Sequence, residues 1–347
     1  MDQFEEGTYK SLIMQRARET HTIRAVTIEL LDYCNFRCNH CYIRDAYQSF
    51  IDVSRVKDLL VKLHDLGCIW LLLTGGEILL HPHFLEIYEY AYNLNYKITL
   101  FTNGYLLNDE TIAALQEKTP DLIEITMYGG DARSFDSFVE VEGAFSVVDA
   151  NISKLIQANI PLKLKFVAMK HKENDLAAIR DYALSKKLGL RWDTFLIPSV
   201  NGNNHPLMNR ISEEKAVSLD WNDQFYIRKL ANSDLSANSD ALYTCDAGYN
   251  SVFVDAKLNL SICEMARNIS VSIADSSMDI REAQEELICI REAKRPLGEK
   301  DACYRCKYRK ICRYCPGQFL LANGNEYKPI NWNCNYAALF YERLKSL

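Results

Sequence analysis

The stretch that decides the fold reads Val26-Thr-Ile-Glu-Leu-Leu31-Asp-Tyr-Cys34-Asn-Phe-Arg-Cys38-Asn-His-Cys41-Tyr42. It begins with an apolar run rich in Val and Ile, which predicts a buried strand over 26–31. Three cysteines follow with the spacing C-x3-C-x2-C, on what is then a loop. Since chemistry in folds of this kind is placed at the carboxyl ends of the strands, this loop is a candidate site.

Similar apolar runs recur along the first 200 residues, separated by segments with helical spacing. The predicted strands are Val26–Leu31, Trp70–Leu73, Lys97–Phe101, Leu122–Met127, Leu162–Val167 and Arg191–Leu196. One helical stripe runs from Val56 to Leu63, and Ser54 is its expected N-cap. Six β-α repeats predict an α/β fold with a parallel sheet, either a partial (β/α) barrel or a doubly wound sheet.

Composition excludes several classes of protein. The chain has 347 residues, 48% hydrophobic and 25% charged, which is ordinary for a globular protein and excludes disorder and coiled coil. A net charge of −6 gives no general reason to bind nucleic acid. The longest apolar runs are too short for a membrane span, and the N-terminus lacks a secretory signal. These features predict a cytoplasmic protein that binds neither nucleic acid nor a membrane.

Twelve cysteines are many for a reducing compartment unless they have a function. A chain of this size does not need disulfides, and closely spaced thiolates indicate metal or iron–sulfur ligands. Seven cysteines lie in the C-terminal region: Cys245, Cys263, Cys303, Cys306, Cys312, Cys315 and Cys334. Three thiolates on one loop can hold three irons of a cubane cluster and leave the fourth iron open. Zinc is the alternative, with His40 as the fourth ligand of the first set and paired C-x2-C ligands in the second.

The cysteine loop resembles the signature of radical S-adenosylmethionine enzymes, C-x3-C-x-aromatic-C, with His40 in the aromatic position. Three further motifs of that superfamily occur in the expected order, each at the carboxyl end of a predicted strand. They are Thr74-Gly75-Gly76-Glu77, Thr102-Asn103-Gly104 and Thr126. The resemblance implies a partial (β/α)6 TIM-type barrel in which Cys34, Cys38 and Cys41 bind a [4Fe-4S] cluster.

The resemblance also implies the cofactor S-adenosylmethionine, bound to the open iron and cleaved to a 5′-deoxyadenosyl radical that takes hydrogen from a substrate. The implied cofactor-binding residues are His40, Gly75, Gly76, Glu77, Thr102, Asn103 and Thr126. Two glycines allow close approach of the backbone to the cofactor because no Cβ intervenes. The Glu77 carboxylate would accept from the cofactor's ammonium group, and a helix cap is the alternative role for it.

The seven C-terminal cysteines resemble the SPASM extension, which binds two auxiliary iron–sulfur clusters, expected here to be [4Fe-4S]. By analogy, the ligands are Cys303, Cys306, Cys312 and Cys334 for one cluster, and Cys245, Cys263 and Cys315 for the other. Two residues separate Cys312 from Cys315, where the family pattern usually has three. The second cluster lacks an assigned fourth ligand, and Cys289 is the spare thiol nearby. Glu264 stands where some relatives place a proton-accepting carboxylate, which makes it the candidate catalytic residue.

The resemblance divides the chain into an N-terminal extension (1–22), the radical S-adenosylmethionine barrel (23–200), a bridging loop and helix (201–243) and the SPASM domain (244–347). The implied function is post-translational modification of a ribosomally made peptide or protein by hydrogen abstraction, with a flavodoxin- or ferredoxin-type electron donor. Leader-recognition domains have about 80 residues, more than the roughly 25 that precede the first strand, so a separate recognition protein or another surface is expected. The alternatives are a radical enzyme that oxidises an alcohol or trims a tetrapyrrole side chain, and a non-catalytic electron carrier or metal sensor.

Overall fold

The computed structural model describes residues 9–43, 48–172, 175–223, 227–228, 230 and 239–346. Its first six strands are β1 (Ala25–Glu29), β2 (Trp70–Thr74), β3 (Lys97–Thr102), β4 (Leu122–Thr126), β5 (Leu162–Val167) and β6 (Gly189–Asp193). Each pairs in parallel with the strand before it, so their order in the sheet is the order along the chain. A doubly wound sheet would reverse this order at a switch point. The fold is therefore an open, partial (β/α) barrel.

Helices follow the strands and bury their apolar stripes against one face of the sheet. They are α2 (Val53–Asp65), α3 (Phe84–Asn93), α4 (Asp109–Glu117), α5 (Ala132–Val139), α6 (Ala144–Gln157) and α7 (Asp175–Ser185), with the short 3-10 helix η1 at Ile78–Leu80. The predicted stripe of α2 is confirmed, since Val56, Leu60 and Leu63 are fully buried. Burial of such a side chain contributes roughly 1.5–3 kcal/mol. The predicted cap is wrong by two residues, because the Asp52 carboxylate accepts from the Ser54 amide at 2.8 Å and caps the helix.

The C-terminal region extends the same sheet. It contains an antiparallel hairpin of β7 (Ser251–Val254) and β8 (Asn259–Ser261), to which β9 (Ser270–Ser272) adds a third strand. β7 pairs in parallel with β1, so the described residues form one sheet of nine strands. The predicted boundary at residue 244 therefore separates two parts of one continuous sheet.

The remaining helices cover the edges of the barrel. They are α1 (Tyr9–Glu19), the 3-10 helix η2 (His205–Asn209), α8 (Glu213–Asp220), α9 (Ile280–Glu292), α10 (Pro316–Asn323) and α11 (Asn331–Leu344). The Tyr336 hydroxyl donates to the buried Asp220 carboxylate at 2.7 Å, which ties α11 to α8. The rest of the predicted bridging helix, at 224–226, 229 and 231–238, lies outside the described residues. Within the described part of the chain, the helices are too short or too polar to cross a bilayer.

Candidate active site and cysteine groups

The three cysteines of the first loop lie together just beyond β1. Cys38 is buried, whereas Cys34 and Cys41 are half-buried. Burial raises the pKa of the Cys34 thiol to about 11, and the nearby charges of Glu77 and Cys41 add to this effect. Burial and the neighbouring Cys41 also raise the pKa of Cys38. Such thiols become thiolates only with a compensating cation, as a bound metal provides. These three residues are called the loop cysteines below.

Two glycines bring the end of β2 against the cysteine loop. The Gly76 amide donates to the Leu31 carbonyl at 2.9 Å, and the Glu77 amide donates to the Tyr33 carbonyl at 3.0 Å. A Cβ atom on Gly76 would lie 1.9 Å from the Tyr33 oxygen, and one on Gly75 would lie 2.5 Å from the Leu31 oxygen. Glycine is therefore required here by the approach of two backbone segments. A role of this pair toward a cofactor stays a prediction.

The Glu77 carboxylate organises the ends of β2 and β3. It is fully buried and accepts from the Thr102 hydroxyl at 2.7 Å, the Asn103 amide at 2.7 Å and the Leu79 amide at 3.1 Å. The last contact caps η1, which was the alternative role for Glu77. Burial raises the pKa of Glu77, and the three hydrogen bonds oppose this increase. Any contact of Glu77 with a cofactor ammonium, which stays a prediction, would add to these protein contacts.

Asn103 connects this network to the loop cysteines. Its side-chain nitrogen lies 3.6 Å from Cys34 Sγ and donates to the Asn35 side-chain oxygen at 2.8 Å. The Phe36 amide also donates to Cys34 Sγ, at 3.4 Å. Hydrogen bonds of this kind stabilise a thiolate and raise the reduction potential of a cluster bound to it. The sequence did not predict Asn35, because nothing in a C-x3-C spacing distinguishes the residues between the ligands.

The site holds buried polar atoms without a protein partner. Among the described residues, these include Asn35 Nδ2 and His40 Nδ1, both on the cysteine loop. Buried polar groups are rarely left unpaired, so the loop fits a polar ligand that would complete it. The described residues contain no group of three His, Cys, Asp or Glu side chains arranged to hold a single metal ion. In an iron–sulfur cluster each thiolate binds a different iron, so the ligands need not converge on one point.

His40 lies against an aromatic patch of Tyr128 and Phe138. The His40 ring is 5.5 Å from the rings of Tyr128 and Phe138, which stack on each other at 5.1 Å. Burial lowers the pKa of His40 to about 4, so the imidazole is neutral at physiological pH. Thr126 ends β4 and is half-buried. The aromatic patch supplies a flat apolar surface of the kind a nucleobase requires.

The inner face of the sheet carries charges that the sequence analysis missed. The Glu124 carboxylate of β4 is buried and lies 3.0 Å from an Arg191 nitrogen and 3.7 Å from the Lys165 ammonium. That ammonium also lies 3.2 Å from the centre of the Phe101 ring. Burial lowers the pKa of Lys165 to about 7, against the charge of Glu124. An isolated charge in an otherwise apolar strand, as in Leu122–Thr126, is the signal that could have identified this cluster.

Charged residues also connect the C-terminal region to the barrel. The Arg267 guanidinium forms two hydrogen bonds, at 2.7 and 3.1 Å, with the carboxylate of Glu29, which is 1% exposed at the end of β1. Glu264 lies nearby. Burial raises the pKa of Glu264, the charge of Glu29 raises it further, and the charges of Arg267 and Lys165 oppose this. Glu264 therefore faces the charged interior of the barrel from the C-terminal side.

The seven C-terminal cysteines form two groups in space. The outer group contains Cys303, Cys306, Cys312 and Cys334, and the inner group contains Cys245, Cys263 and Cys315. Burial raises the pKa of Cys312 to about 12, and the other three thiols of its group add to this. Burial likewise raises the pKa of Cys315 to about 11, with contributions from Cys245 and Glu264. This division matches the predicted ligand sets, although metal binding by them stays a prediction.

Two cysteines lie apart from these groups. Cys289 is exposed on α9. Its role as the missing fourth ligand stays a prediction. Cys68 is buried in the hydrophobic core.

Comparison with known proteins identifies the class. Residues 28–183 match the model of the Radical SAM superfamily. An AdoMet-dependent heme synthase of Methanosarcina barkeri is 24% identical over 341 residues, which are 88% of this chain and 95% of that protein. The antilisterial bacteriocin subtilosin biosynthesis protein AlbA of Bacillus subtilis is 29% identical over 160 residues, 45% of this chain and 35% of that protein. A crystal structure of Streptococcus suis SuiB bound to S-adenosylmethionine has a TM-score of 0.69 at 15% identity, and covers 95% of this chain and 83% of SuiB.

Residues 28–183 are a radical SAM domain. The chain is accordingly an enzyme, and this domain implies S-adenosylmethionine and a [4Fe-4S] cluster. The likeness to SuiB shows that the fold extends beyond the barrel into the cysteine-rich C-terminal region. Fold alone does not identify the substrate.

Proposed function

We propose that this chain is a SPASM-type radical SAM enzyme that modifies a ribosomally made peptide in the cytoplasm. The observation that carries the proposal is the position of the inner cysteine group beside Glu264, whose carboxylate faces the charged interior of the barrel. A cluster held there would lie next to a substrate in the barrel. An electron carrier or metal sensor requires no such polar interior.

The residues present fit the cofactors that the proposal requires. The loop cysteines would hold the [4Fe-4S] cluster, and the outer and inner groups would each hold an auxiliary [4Fe-4S] cluster. When bound, the first cluster and S-adenosylmethionine supply a 5′-deoxyadenosyl radical that takes a hydrogen atom from the substrate. Asn103 orients Cys34, and the patch of His40, Tyr128 and Phe138 excludes water from the cysteine loop.

Glu264 is the proposed proton acceptor. Loss of two hydrogens from the substrate removes a hydrogen atom, one further electron and a proton, whether a double bond or a crosslink forms. A cluster held by the inner group would supply the acceptor for the electron, and the Glu264 carboxylate would take the proton. The two acceptors lie close together, because the charge of Glu264 acts on the thiols of Cys263 and Cys315.

Relatives and structural neighbours favour a peptide substrate. Besides AlbA, the sporulation killing factor maturation protein SkfB of Bacillus subtilis is 30% identical over 157 residues. SuiB has also been solved bound to its precursor peptide SuiA, and this structure has a TM-score of 0.69 to the present chain. The proposed partners are a precursor peptide, a flavodoxin- or ferredoxin-type electron donor and a separate leader-recognition protein.

The test is anaerobic turnover of the reconstituted protein with S-adenosylmethionine, a chemical reductant and synthetic precursor peptides encoded beside the gene. The proposal expects about twelve irons per chain, at four per cluster, with matching sulfide. It also expects 5′-deoxyadenosine and a peptide whose mass falls by two hydrogens. Stoichiometric zinc with little iron, or 5′-deoxyadenosine without any change in the peptides, would contradict it.

One observation favours a second candidate, a tetrapyrrole substrate. The Methanosarcina barkeri heme synthase matches this chain over 95% of its own length, whereas AlbA matches over 35%. Lys165 and Arg191 on the inner face could pair with the carboxylates of such a substrate. Incubation with iron porphyrins that carry propionate groups distinguishes the two, since loss of a carboxyl group from the porphyrin supports only this alternative.

A further inference from the structure

A surface groove of about 720 Å³ lies beside the barrel, between the η2–α8 segment and the start of α11. Its lining combines apolar side chains with cations: Met208, Ile211, Trp332, Lys170, Arg210 and Lys215. We call this feature the bridge groove. Lys170 and Lys215 are exposed, and none of the ion pairs found among the described residues involves them. Glu213 is the acidic residue of the lining, so the groove has an excess of positive charge.

Arg210 is the central cation of the bridge groove. Its guanidinium stands 5.2 Å from the centre of the Trp332 ring and donates through one Nη to the Leu196 carbonyl at 2.8 Å. The Nε atom is buried and has no hydrogen-bond partner in the described structure. A buried charged donor that lacks an acceptor is costly, and a carboxylate is the acceptor that best fits the guanidinium edge. The Glu213 carboxylate of the lining also acts on Arg210, but the Nε atom has no acceptor, so the guanidinium can take a further carboxylate.

The bridge groove adjoins the cysteine loop. The Asn209 side chain, which precedes Arg210, donates to the Asn39 carbonyl at 3.2 Å. The Asn209 carbonyl accepts from the amide of Lys170 at 2.8 Å. In the same segment, the Val200 amide donates to the Tyr42 carbonyl at 2.9 Å. A chain held in the groove therefore lies against the same segment that borders the loop cysteines.

We propose that the bridge groove binds an acidic segment of the peptide substrate. Arg210 binds a carboxylate of this segment. A neighbouring apolar side chain of the segment packs against Trp332 and the exposed Met208. Lys170 and Lys215 add attraction that is screened by salt. The peptide nature of the occupant rests on the proposed function, whereas the preference for acidic and apolar side chains rests on the lining of the groove.

The experiment measures peptide binding to the reconstituted protein, by fluorescence anisotropy and without turnover. The probes are two fluorescein-labelled peptides of equal length, one alternating Glu with Leu and the other alternating Lys with Leu. The Glu–Leu peptide is expected to bind about tenfold more tightly than the Lys–Leu peptide, and Arg210→Gln should remove most of this difference. Lys215→Gln changes an exposed residue and cannot unfold the chain, and a loss of about two- to fivefold is expected.

Lys187→Gln is the matched control, because Lys187 is an exposed lysine between α7 and β6, at the amino end of β6, whereas the bridge groove borders Leu196 beyond the carboxyl end of β6. It should leave binding unchanged. Equal binding of the two peptides, or no effect of both Arg210→Gln and Lys215→Gln, overturns the proposal. Displacement of the Glu–Leu peptide by a single-stranded oligonucleotide at lower concentration than by unlabelled peptide also overturns it. These readouts need no turnover, so a failure here is distinct from a failure to modify precursor peptides.

Discussion

The cysteine loop and the C-terminal region use cysteine in different ways. The loop cysteines come from eight consecutive residues, and backbone contacts with the Gly75–Gly76 turn hold that loop in place. The outer and inner groups instead draw their members from 90 residues, and Cys312 and Cys315 belong to different groups although two residues separate them. The local spacing therefore identifies the three loop cysteines as one set. In the C-terminal region, the spacing does not show which thiols belong to the same group.

The largest expected effect separates the two regions by function. Cys34→Ala removes a ligand of the S-adenosylmethionine site and should abolish formation of 5′-deoxyadenosine, measured by chromatography after anaerobic incubation with a reductant. Cys306→Ala should spare this uncoupled cleavage while it abolishes substrate product, because it changes only the outer group. If Cys34→Ala still cleaved S-adenosylmethionine, or if Cys306→Ala no longer did, the two regions would not differ in function as proposed.

The division of the C-terminal thiols predicts a pattern of iron loss. Cys312→Ala and Cys315→Ala should each lower the iron content by about four atoms per chain, one cluster each. The double variant Cys312→Ala/Cys315→Ala should lose about eight, whereas Cys263→Ala/Cys315→Ala should lose only about four because both belong to the inner group. Cys289→Ala is the control and should lose none. Equal losses of iron in the two double variants would show that the cysteines are assigned to the wrong groups.

The Gly-Gly contact tests how the cysteine loop is positioned. Gly76→Ala places a methyl group 1.9 Å from the Tyr33 carbonyl oxygen, so the two segments must separate. We expect the free energy of unfolding in urea to fall by about 3 kcal/mol. Gly298→Ala meets no atom within 4 Å. This control should change stability by less than about 0.5 kcal/mol. Similar free energies of unfolding for Gly76→Ala and Gly298→Ala would mean that the close approach of the two backbone segments is not required for stability.

The smallest expected effect concerns the charges inside the barrel. Burial lowers the pKa of Lys165 to about 7, below its ordinary value of about 10.4 in an unfolded chain. Between these values the folded protein binds fewer protons than the unfolded one, so this group makes stability rise with pH. Relative to Lys165→Met, the wild-type chain should therefore gain stability from pH 7 to pH 9 in urea titrations. The stability of Lys187→Met, an exposed control, should change with pH as that of the wild-type chain does. The same pH dependence of stability in Lys165→Met and in the wild-type chain would contradict this prediction.

Much of the barrel could be predicted because its strands are short runs rich in Val, Ile and Leu, most of which carry a row of buried apolar side chains between stretches with helical spacing. All six predicted strands are present, with ends that differ by a few residues, as at Gly189–Asp193 where 191–196 was predicted. The attachment of β7 to β1 could not be predicted, since pairing between strands more than 200 residues apart leaves no local pattern. Nor could the contacts of Glu77, because a buried carboxylate takes its partners from β2, η1 and β3 together.

The sequence by itself determined the order of the β-α units, the loop cysteines and the family to which their spacing belongs. These are local properties, because a strand is recognised from consecutive residues and the three loop cysteines lie within eight consecutive positions. Only the tertiary structure decided the winding of the sheet, the link between Glu29 and Arg267, and the position of Glu264 beside the inner group. Each of these depends on side chains brought together from distant segments, because burial and charge act through space rather than along the chain.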